Sequence, residues 1–174
     1  RAGCEWVFAG EGIMTEKVDG TNIELVIKEF AIQHVNKRRN PSRAEKEAGA
    51  EPGYVPASQT DPSDKWIFAA VDEFLKTNPA QTPRWPVKDG RVSCEAYGRK
   101  IQGDPLNIGQ SRLYFFRQFP FVYEYLGPRT YESIKGHLEN LKSLINPEVL
   151  AEGIVFHHPD GRMAKIKRKD FKYQ

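Results

Sequence analysis

Apolar and polar residues alternate along several short stretches of the chain, a pattern typical of half-buried β-strands. The clearest stretch runs from Thr21 to Lys28, where Ile23, Leu25 and Ile27 alternate with mostly polar neighbours. Bounded apolar stretches of similar length occur elsewhere along the chain. The further predicted strands are 13–18, 30–35, 91–97, 113–116, 121–126, 152–157 and 163–168.

Two other stretches repeat apolar residues at the spacing of a helix instead. In the first, Trp66, Ala70 and Phe74 fall on one face, and the second covers about 131–144. The stretch 40–64 is rich in proline, glycine and polar residues, which predicts a long surface loop. Strands and helices in one chain without internal repeats predict the α+β class.

The composition suits one compact domain over 1–174. The 174 residues are 39% hydrophobic and 28% charged, which is typical of a globular protein and not of a disordered one. The net charge of +3 is too small for tight non-specific binding of nucleic acid unless the basic residues cluster. They do cluster, around 37–43 and again over 165–172.

Cysteine content and hydropathy bear on where the protein works. The only cysteines, Cys4 and Cys94, form neither a disulfide framework nor a zinc pattern. No apolar run approaches the length of a membrane span. We therefore expect an intracellular, cytoplasmic monomer without a membrane partner.

The most informative segment is Glu16-Lys17-Val18-Asp19-Gly20-Thr21-Asn22, in which a lysine opens the tetrad Lys-x-Asp-Gly. An amine attacks a phosphate only when it is neutral, so the pKa of such a lysine must be lowered by burial or neighbouring cations. Gly20 would allow a tight turn beside a bulky group. A plain strand-to-turn junction with an exposed lysine is the alternative for this segment alone.

Three further segments follow in order, and each carries a charged residue. They are Val92-Ser93-Cys94-Glu95-Ala96-Tyr97-Gly98, Glu152-Gly153-Ile154-Val155-Phe156 and Lys165-Ile166-Lys167. With the Lys17 segment, they resemble motifs I, III, IV and V of the covalent nucleotidyltransferase superfamily of DNA ligases, RNA ligases and mRNA capping enzymes. The continuation Gly20-Thr21-Asn22 is most similar to ATP-dependent RNA ligases. The stretch Thr15–Thr21, with the later Glu-Gly-Ile-Val and Asp160-Gly161-Arg162, particularly resembles the small 5′-to-3′ RNA ligases.

The resemblance implies a nucleotidyltransferase (adenylation) fold, in which antiparallel sheets enclose an ATP cleft flanked by peripheral helices. It makes Lys17 the catalytic residue that carries AMP and Glu152 the ligand of Mg²⁺ or Mn²⁺. It also implies a nucleotide-binding set, in which Glu95 holds the ribose hydroxyls of ATP. That set is Glu16, Arg39, Glu95, Phe116, Lys165 and Lys167.

Several of these residues have a second interpretation. Glu95 could form a structural salt bridge, and the companion ribose arginine is either Arg38 or Arg39, of which Arg39 is our first choice. Phe116 corresponds to the aromatic that stacks on adenine, although alternating aromatics are often part of a core. Lys165 and Lys167 share a strand face, which suits triphosphate oxygens, but a basic surface strand is the alternative.

Carboxylates that lead into a buried strand need a partner, and the partner implied for Glu152 is a divalent metal. Adjacent strand residues point to opposite faces, so His157 and His158 are not expected to share a metal. The chain leaves no room after Tyr173 for a sizeable domain, so we expect a minimal catalytic core or a part of a longer protein.

The function implied by the resemblance is ATP-dependent joining of RNA 5′-phosphate and 3′-hydroxyl ends through a lysyl-AMP intermediate. Two alternatives remain at this point. One is another enzyme of the superfamily, a DNA ligase or a GTP-using capping enzyme. The other is a catalytically silent RNA-binding module that has kept the fold.

Overall fold

The structure is a computed structural model that describes residues 2–77, 88–116, 118, 121–124 and 127–173. It contains four α-helices and nine strands within these residues. The helices are α1 (Glu5–Phe8), α2 (Arg43–Glu47), α3 (Lys65–Thr77) and α4 (Tyr131–Glu139). The strands are β1 (Ile13–Glu16), β2 (Thr21–Lys28), β3 (Ala31–Arg39), β4 (Gly53–Pro56), β5 (Gly90–Gly98), β6 (Ser111–Phe115), β7 (Val122–Tyr123), β8 (Gly153–His157) and β9 (Met163–Lys167).

The chain forms two compact units, the first from residues 1–19 and 118–174 and the second from residues 20–117. Both are built on antiparallel sheets with few helices, which confirms the predicted α+β class. A single domain over 1–174 stays a prediction. Within the described residues, no helix is long and apolar enough to cross a membrane.

Unit 1 contains a four-stranded sheet in the order β7-β1-β8-β9. One face of this sheet is apolar, and Met14, Ile154 and Phe156 pack there against Ile134 and Leu138 of α4. Because side chains alternate along each strand, the opposite face carries the other set of residues, including those that follow β1.

Unit 2 contains a five-stranded sheet in the order β4-β3-β2-β5-β6. Ile23 and Leu25 of β2 are fully buried on one face, where they pack with Ala70 of α3. Trp66 and Phe74 lie against the same core, which confirms the predicted apolar face of this helix. The other face of the sheet carries the polar residues of these strands.

The predicted loop 40–64 is wrong in two places. Helix α2 lies within it, where Ser42 and Glu45 form a capping box, and β4 extends the five-stranded sheet by pairing with β3. The capping box was visible in the sequence as Ser-x-x-Glu before a short helix-forming stretch. An edge strand of four residues gains its order from its neighbour, so its own sequence carries little signal.

The second predicted helix is shorter than expected, because α4 ends at Glu139 and does not extend to residue 144. Beyond it the chain turns back, and the N–H of Ala151 donates to the carbonyl of Leu141 at 2.9 Å. Leu141 therefore packs against the core of unit 1 from outside the helix. The end of the strand predicted at 121–126 lies outside the described residues.

Candidate active site

The candidate catalytic lysine directly follows β1 and continues its pairing with β8. The N–H of Lys17 donates to the carbonyl of Gly153 at 2.9 Å. Gly153 is in turn the register partner of Lys167 on β9. Partners in adjacent antiparallel strands point to the same side of a sheet, so Lys17 and Lys167 share the face opposite the core, together with Lys165. This confirms that Lys165 and Lys167 lie on one face.

Gly153 is required by the close approach of β8 to β9. A Cβ atom there would lie 2.2 Å from the carbonyl oxygen of Ile166 and 2.9 Å from the Cα of Lys167. No ordinary side chain fits in that space. The residue that follows Glu152 is therefore a glycine for a packing reason, and its carbonyl is free to accept from Lys17.

Glu152 joins the two lysines on this face. The ammonium group of Lys17 donates to one carboxylate oxygen, and that of Lys167 donates to the other at 2.6 Å. The three side chains are largely buried, at 16%, 15% and 25% exposure for Lys17, Glu152 and Lys167. The Lys17 nitrogen is therefore held in one position by a carboxylate 135 residues away in sequence.

The charges of this group follow from its contacts. Burial acts to raise the pKa of Glu152, but the hydrogen bonds and positive charges of Lys167 and Lys17 outweigh it, and the pKa is lowered. The hydrogen bond to Glu152 raises the pKa of Lys167. Glu152 is therefore an anion and Lys167 a cation at neutral pH.

Asp19 adds a second carboxylate to the group, although no specific role was predicted for it. Its pKa is raised, first by burial and then by the negative charge of Glu152, against the opposing charges of Lys17 and Lys167. Two carboxylates that repel each other in this way are stabilised by a cation between them. In the sequence, Asp19 is the third residue of the Lys-x-Asp-Gly tetrad, two residues after Lys17.

The donor set fits a divalent metal that arrives with substrate phosphates. No group of three or more His, Cys, Asp or Glu side chains able to hold a metal occurs within the described parts of the chain. Glu152 and Asp19 supply carboxylate oxygens, which Mg²⁺ prefers, and Mg²⁺ commonly binds one or two carboxylates together with phosphates and water. A metal cage built from protein ligands alone does not fit these residues.

Glu16 is set apart from Lys165 and Lys167, the other members of the predicted nucleotide-binding set on this sheet. Its side chain is only 1% exposed and points to the apolar face of the sheet, opposite Lys17. One carboxylate oxygen accepts the N–H of Leu144 at 2.7 Å, and burial raises the pKa of the carboxyl group. Glu16 therefore holds the segment after α4 in place. Strand alternation separates it from its neighbour in the motif.

In unit 2, a row of polar side chains crosses the five-stranded sheet on the face opposite its core. The register pairs Arg38 with Tyr54, Asn22 with Glu95, and Glu95 with Tyr114. Because Ile23 pairs with Lys37, the next residues outward, Asn22 and Arg38, lie on the same face of the sheet. The Tyr54 hydroxyl donates to the amide oxygen of Asn22 at 2.5 Å. The Arg38 guanidinium lies over the Tyr54 ring, 5.6 Å from its centroid. We call these five residues the polar row.

The register places the two candidate ribose arginines on opposite faces of the sheet, and the choice between them stays a prediction. Arg39 is one residue out of phase with Asn22, so it points to the other face of the sheet, and it forms an ion pair with Glu45. Arg38 instead lies in the polar row with Glu95. The two arginines could not be separated by sequence because the register of β3 depends on its partners.

Phe116 follows β6 and lies on the side of the polar row. Its ring meets the ring of Tyr114 edge to face, with centroids 5.6 Å apart, and Tyr114 is the register partner of Glu95. Phe115 points the other way, into the core of unit 2. The predicted role of Phe116 in stacking on adenine stays a prediction.

A glycine is needed at position 20 because of a close approach between strands, whereas we expected it to be needed for a tight turn. A Cβ atom at this position would lie 2.3 Å from the carbonyl oxygen of Ala96 and 2.9 Å from the Cγ of Glu95. The glycine therefore allows the chain to pass directly against β5.

The two adjacent histidines point to opposite sides, as predicted. His157 lies 2.9 Å from the Thr15 hydroxyl through its Nε2, and burial lowers its pKa. His158 contacts Glu11 at 2.7 Å and Asp160 at 2.8 Å. Neither arrangement resembles a metal site.

Two depressions occur on unit 2. One of about 640 Å³ lies at the β2–β3 turn, and none of the predicted site residues lines it. The other, of about 410 Å³, lies beside the start of α3 and is lined partly by Thr21 of the lysine motif. Cavity size alone therefore does not identify the site, and the chemistry of the lining residues has to decide.

The chain is similar to known proteins in its fold and not in its sequence. No protein-family model matches the sequence, and no curated protein is similar to it by sequence. The structure does resemble solved RNA ligases over 95% of this chain at 18% identity, and the chain spans about half of their length.

The particular structures are of Naegleria gruberi RNA ligase. The form with PPi has a TM-score of 0.58, with 52% of that chain covered. A mutant form with ATP and Mn has a TM-score of 0.59, with 53% covered. An apo mutant form has a TM-score of 0.59 at 18% identity, with 52% covered. At this identity the likeness establishes the shared fold.

Proposed function

We propose that this chain is the adenylate-accepting part of an ATP-dependent RNA ligase. The observation that carries the proposal is the arrangement of Lys17, Glu152 and Lys167 on one sheet face, with Lys165 beside them. A lysine held at a fixed position between groups suited to phosphate and metal is what attack on a nucleotide requires. The fold shared with an RNA ligase supports the same assignment.

In the first step, the lone pair of Lys17 Nζ attacks the α-phosphorus of ATP. The new N–P bond forms as the bond to the pyrophosphate oxygen breaks, and pyrophosphate leaves with that electron pair. Lys17 releases its proton before attack. Because the pKa of Glu152 is lowered, this carboxylate orients the amine and is a poor final acceptor for the proton, which passes to solvent.

Charge neutralisation is the main contribution of the remaining groups. The ammonium groups of Lys165 and Lys167 oppose the negative charge of the triphosphate. Glu152 and Asp19 would hold Mg²⁺ or Mn²⁺, which supplies Lewis-acid stabilisation of phosphate oxygens when bound. The solved ligases described with ATP or AMP and Mn support a nucleotide and a divalent metal.

We assign recognition of the adenosine to residues of the polar row. Glu95 would accept hydrogen bonds from the ribose hydroxyls, since a carboxylate pairs well with a diol. Arg38 takes the role that we first gave to Arg39. Phe116 would contact the adenine ring.

Two further steps complete the proposed reaction. The phosphate oxygen of an RNA 5′-end attacks the lysyl-AMP, which breaks the N–P bond and returns Lys17. An RNA 3′-hydroxyl then attacks the activated end, forms the phosphodiester and releases AMP. Because the chain spans about half of the solved ligases, we propose adenylation for this chain by itself and sealing for the whole protein.

Transfer of label from ATP tests the first step. The protein is incubated with α-labelled ATP or GTP and Mg²⁺, and is then separated by denaturing electrophoresis. We expect label from ATP on the wild type and none on Lys17→Ala or on Lys17→Arg, which keeps the charge but not the nucleophile. Label from GTP alone would favour a capping-like enzyme, and no label from either nucleotide would favour a silent binding module.

Matched all-RNA and all-DNA ends test the choice of substrate. The whole protein should seal RNA 5′-phosphate to RNA 3′-hydroxyl ends in preference to the DNA pair. Preferential sealing of DNA would replace the RNA ligase proposal with the DNA ligase alternative.

A further inference from the structure

A second surface of unit 2, away from the polar row, combines an aromatic ring with several cations. Trp66 lies in the first turn of α3, on the face of the sheet opposite the polar row. The ammonium group of Lys65 lies 4.8 Å from the centre of its ring, and the guanidinium of Arg99 lies 5.7 Å away. Lys100 follows directly and lines the cavity of about 410 Å³ together with Trp66. We call these four residues the Trp66 patch.

The three cations of the Trp66 patch have no ion-pair partner among the residues that the structure describes. Lys65, Arg99 and Lys100 are exposed, and none of them forms an ion pair with a described acidic side chain. Many other basic residues of unit 2 are paired, and they are Lys37, Arg39, Arg43, Lys88 and Arg91. The cations of the patch are therefore available to an anionic partner.

The backbone that presents Arg99 and Lys100 is strained. Lys100, Gln102 and Asp104 all have positive φ, at 63°, 50° and 57°. Left-handed backbone at residues other than glycine is unfavourable and persists only where the surrounding structure enforces it. Here Asp104 holds the loop by accepting from the N–H of Gly109 at 2.8 Å. Arg99 and Lys100 are therefore presented from a loop whose conformation is enforced by its surroundings.

The cavity also reaches the lysine motif. Thr21 lines it, and the Gln102 side chain donates to the Thr21 hydroxyl at 3.2 Å. Lys37 lines it as well, but its ammonium group is already paired with Asp64 at 2.7 Å. The cavity is therefore lined by polar side chains such as Thr21 and Gln102, by the aromatic ring of Trp66 and by the cation Lys100. Its volume suits a nucleotide-sized group.

We propose that the Trp66 patch binds a single-stranded segment of the RNA substrate, with a base against Trp66 and phosphates on Lys65, Arg99 and Lys100. An aromatic side chain within a basic groove is the usual means of holding unpaired bases without sequence preference. This inference rests on the proposed function for the choice of RNA. It extends that function by giving the polynucleotide a binding surface separate from the nucleotide chemistry.

Binding of a fluorescent single-stranded RNA of about 12 nucleotides, within the usual range of site sizes, tests the proposal by anisotropy across a salt series without ATP. The Lys65→Ala/Arg99→Ala/Lys100→Ala variant should bind at least about tenfold more weakly at low salt. Its salt slope should be shallower by about 2, since each lost phosphate contact on a single strand removes about 0.7.

A matched variant controls for the loss of charge. Lys28, Lys46 and Lys76 are exposed and belong to unit 2 but not to the patch. Replacing all three by alanine removes the same charge and should leave RNA binding close to wild type. Equal weakening by both triple variants, or no weakening by either, would overturn the proposal.

The tryptophan is tested separately. Trp66→Phe keeps an aromatic ring and should retain most of the binding, whereas Trp66→Leu should weaken it on the order of tenfold. Thermal melting of each variant is measured first. If Trp66→Leu does not fold, the two triple charge variants alone test whether the Trp66 patch binds RNA. Preference for duplex RNA, or equal binding of polyglutamate, contradicts a base-stacking site.

RNA binding is measured without ATP, and label transfer is measured without RNA. A failure of the Trp66 patch and a failure of the proposed adenylation are therefore separate results.

Discussion

The replacement of Gly153 by alanine is the sharpest test of how the active-site face is built. The added Cβ would lie 2.2 Å from the carbonyl oxygen of Ile166, and this oxygen belongs to the backbone of β9. Real Cβ atoms essentially never come closer than 3.0 Å to such an atom. The two strands must therefore separate locally by about 1 Å, and overpacking of this kind typically lowers the free energy of unfolding by about 1–3 kcal/mol.

We expect a loss near the upper end, about 3 kcal/mol, because the contact atom is backbone and cannot rotate away. The same shift moves the carbonyl that accepts from the N–H of Lys17. Label transfer from ATP should therefore fall as well, since displacement of a catalytic group by about 1 Å can reduce a rate on the order of 10²-fold.

Urea unfolding followed by circular dichroism measures the stability of this variant. Gly136→Ala is the matched control, because Gly136 lies within α4 and a Cβ there meets nothing within 4 Å. Alanine is favoured over glycine in a helix by about 0.5–1 kcal/mol, so the control should be more stable than wild type. A Gly153→Ala protein as stable and as active as wild type would refute the close approach of β8 to β9.

Three more changes test other parts of the structure. Glu152→Gln should lower label transfer on the order of 10²-fold. It should also lower the free energy of unfolding by about 1–3 kcal/mol, because two charged hydrogen bonds are weakened. Normal label transfer at limiting Mg²⁺ would make Glu152 purely structural. The hydrogen bond to Glu11 raises the pKa of His158, so its stabilising effect is complete below about pH 6.5 and disappears as pH rises through the raised value. His158→Gln should therefore be less stable than wild type only at lower pH in thermal melts, and an equal difference at pH 9 would contradict this. Arg38→Ala should raise the KM for ATP in label transfer about tenfold while Arg39→Ala changes it little, and the reverse result would restore our first choice.

Much of the fold could be predicted because strand patterns are local. The alternation of Ile23, Leu25 and Ile27 identified β2 and its buried face, and the structure places all three in the core of unit 2. The helix with Trp66 and Phe74 on one face was found for the same reason. The ends of elements were harder to predict, because they depend on contacts that are distant in sequence. Helix α4, for example, ends before Leu141, whose carbonyl accepts from the N–H of Ala151.

The candidate site was only partly predictable. The motifs selected Lys17, Glu152 and Lys167, and the structure brings these three together in one hydrogen-bonded group. The same motifs selected Glu16, whose side chain is buried on the opposite face. A motif records which residues occur together, but strand alternation decides which of them face the same side.

The sequence by itself determined the class of fold, the lysine that is the candidate nucleophile and the carboxylate that accompanies it. These are properties of short segments, because periodicity and spacing depend on neighbouring residues. The tertiary structure decided that Arg38 and not Arg39 shares a sheet face with Asn22 in the polar row. It also decided that Arg99, which is distant in sequence, lies near the ring of Trp66 together with Lys65. These facts depend on the register and packing of distant strands, which local sequence does not specify.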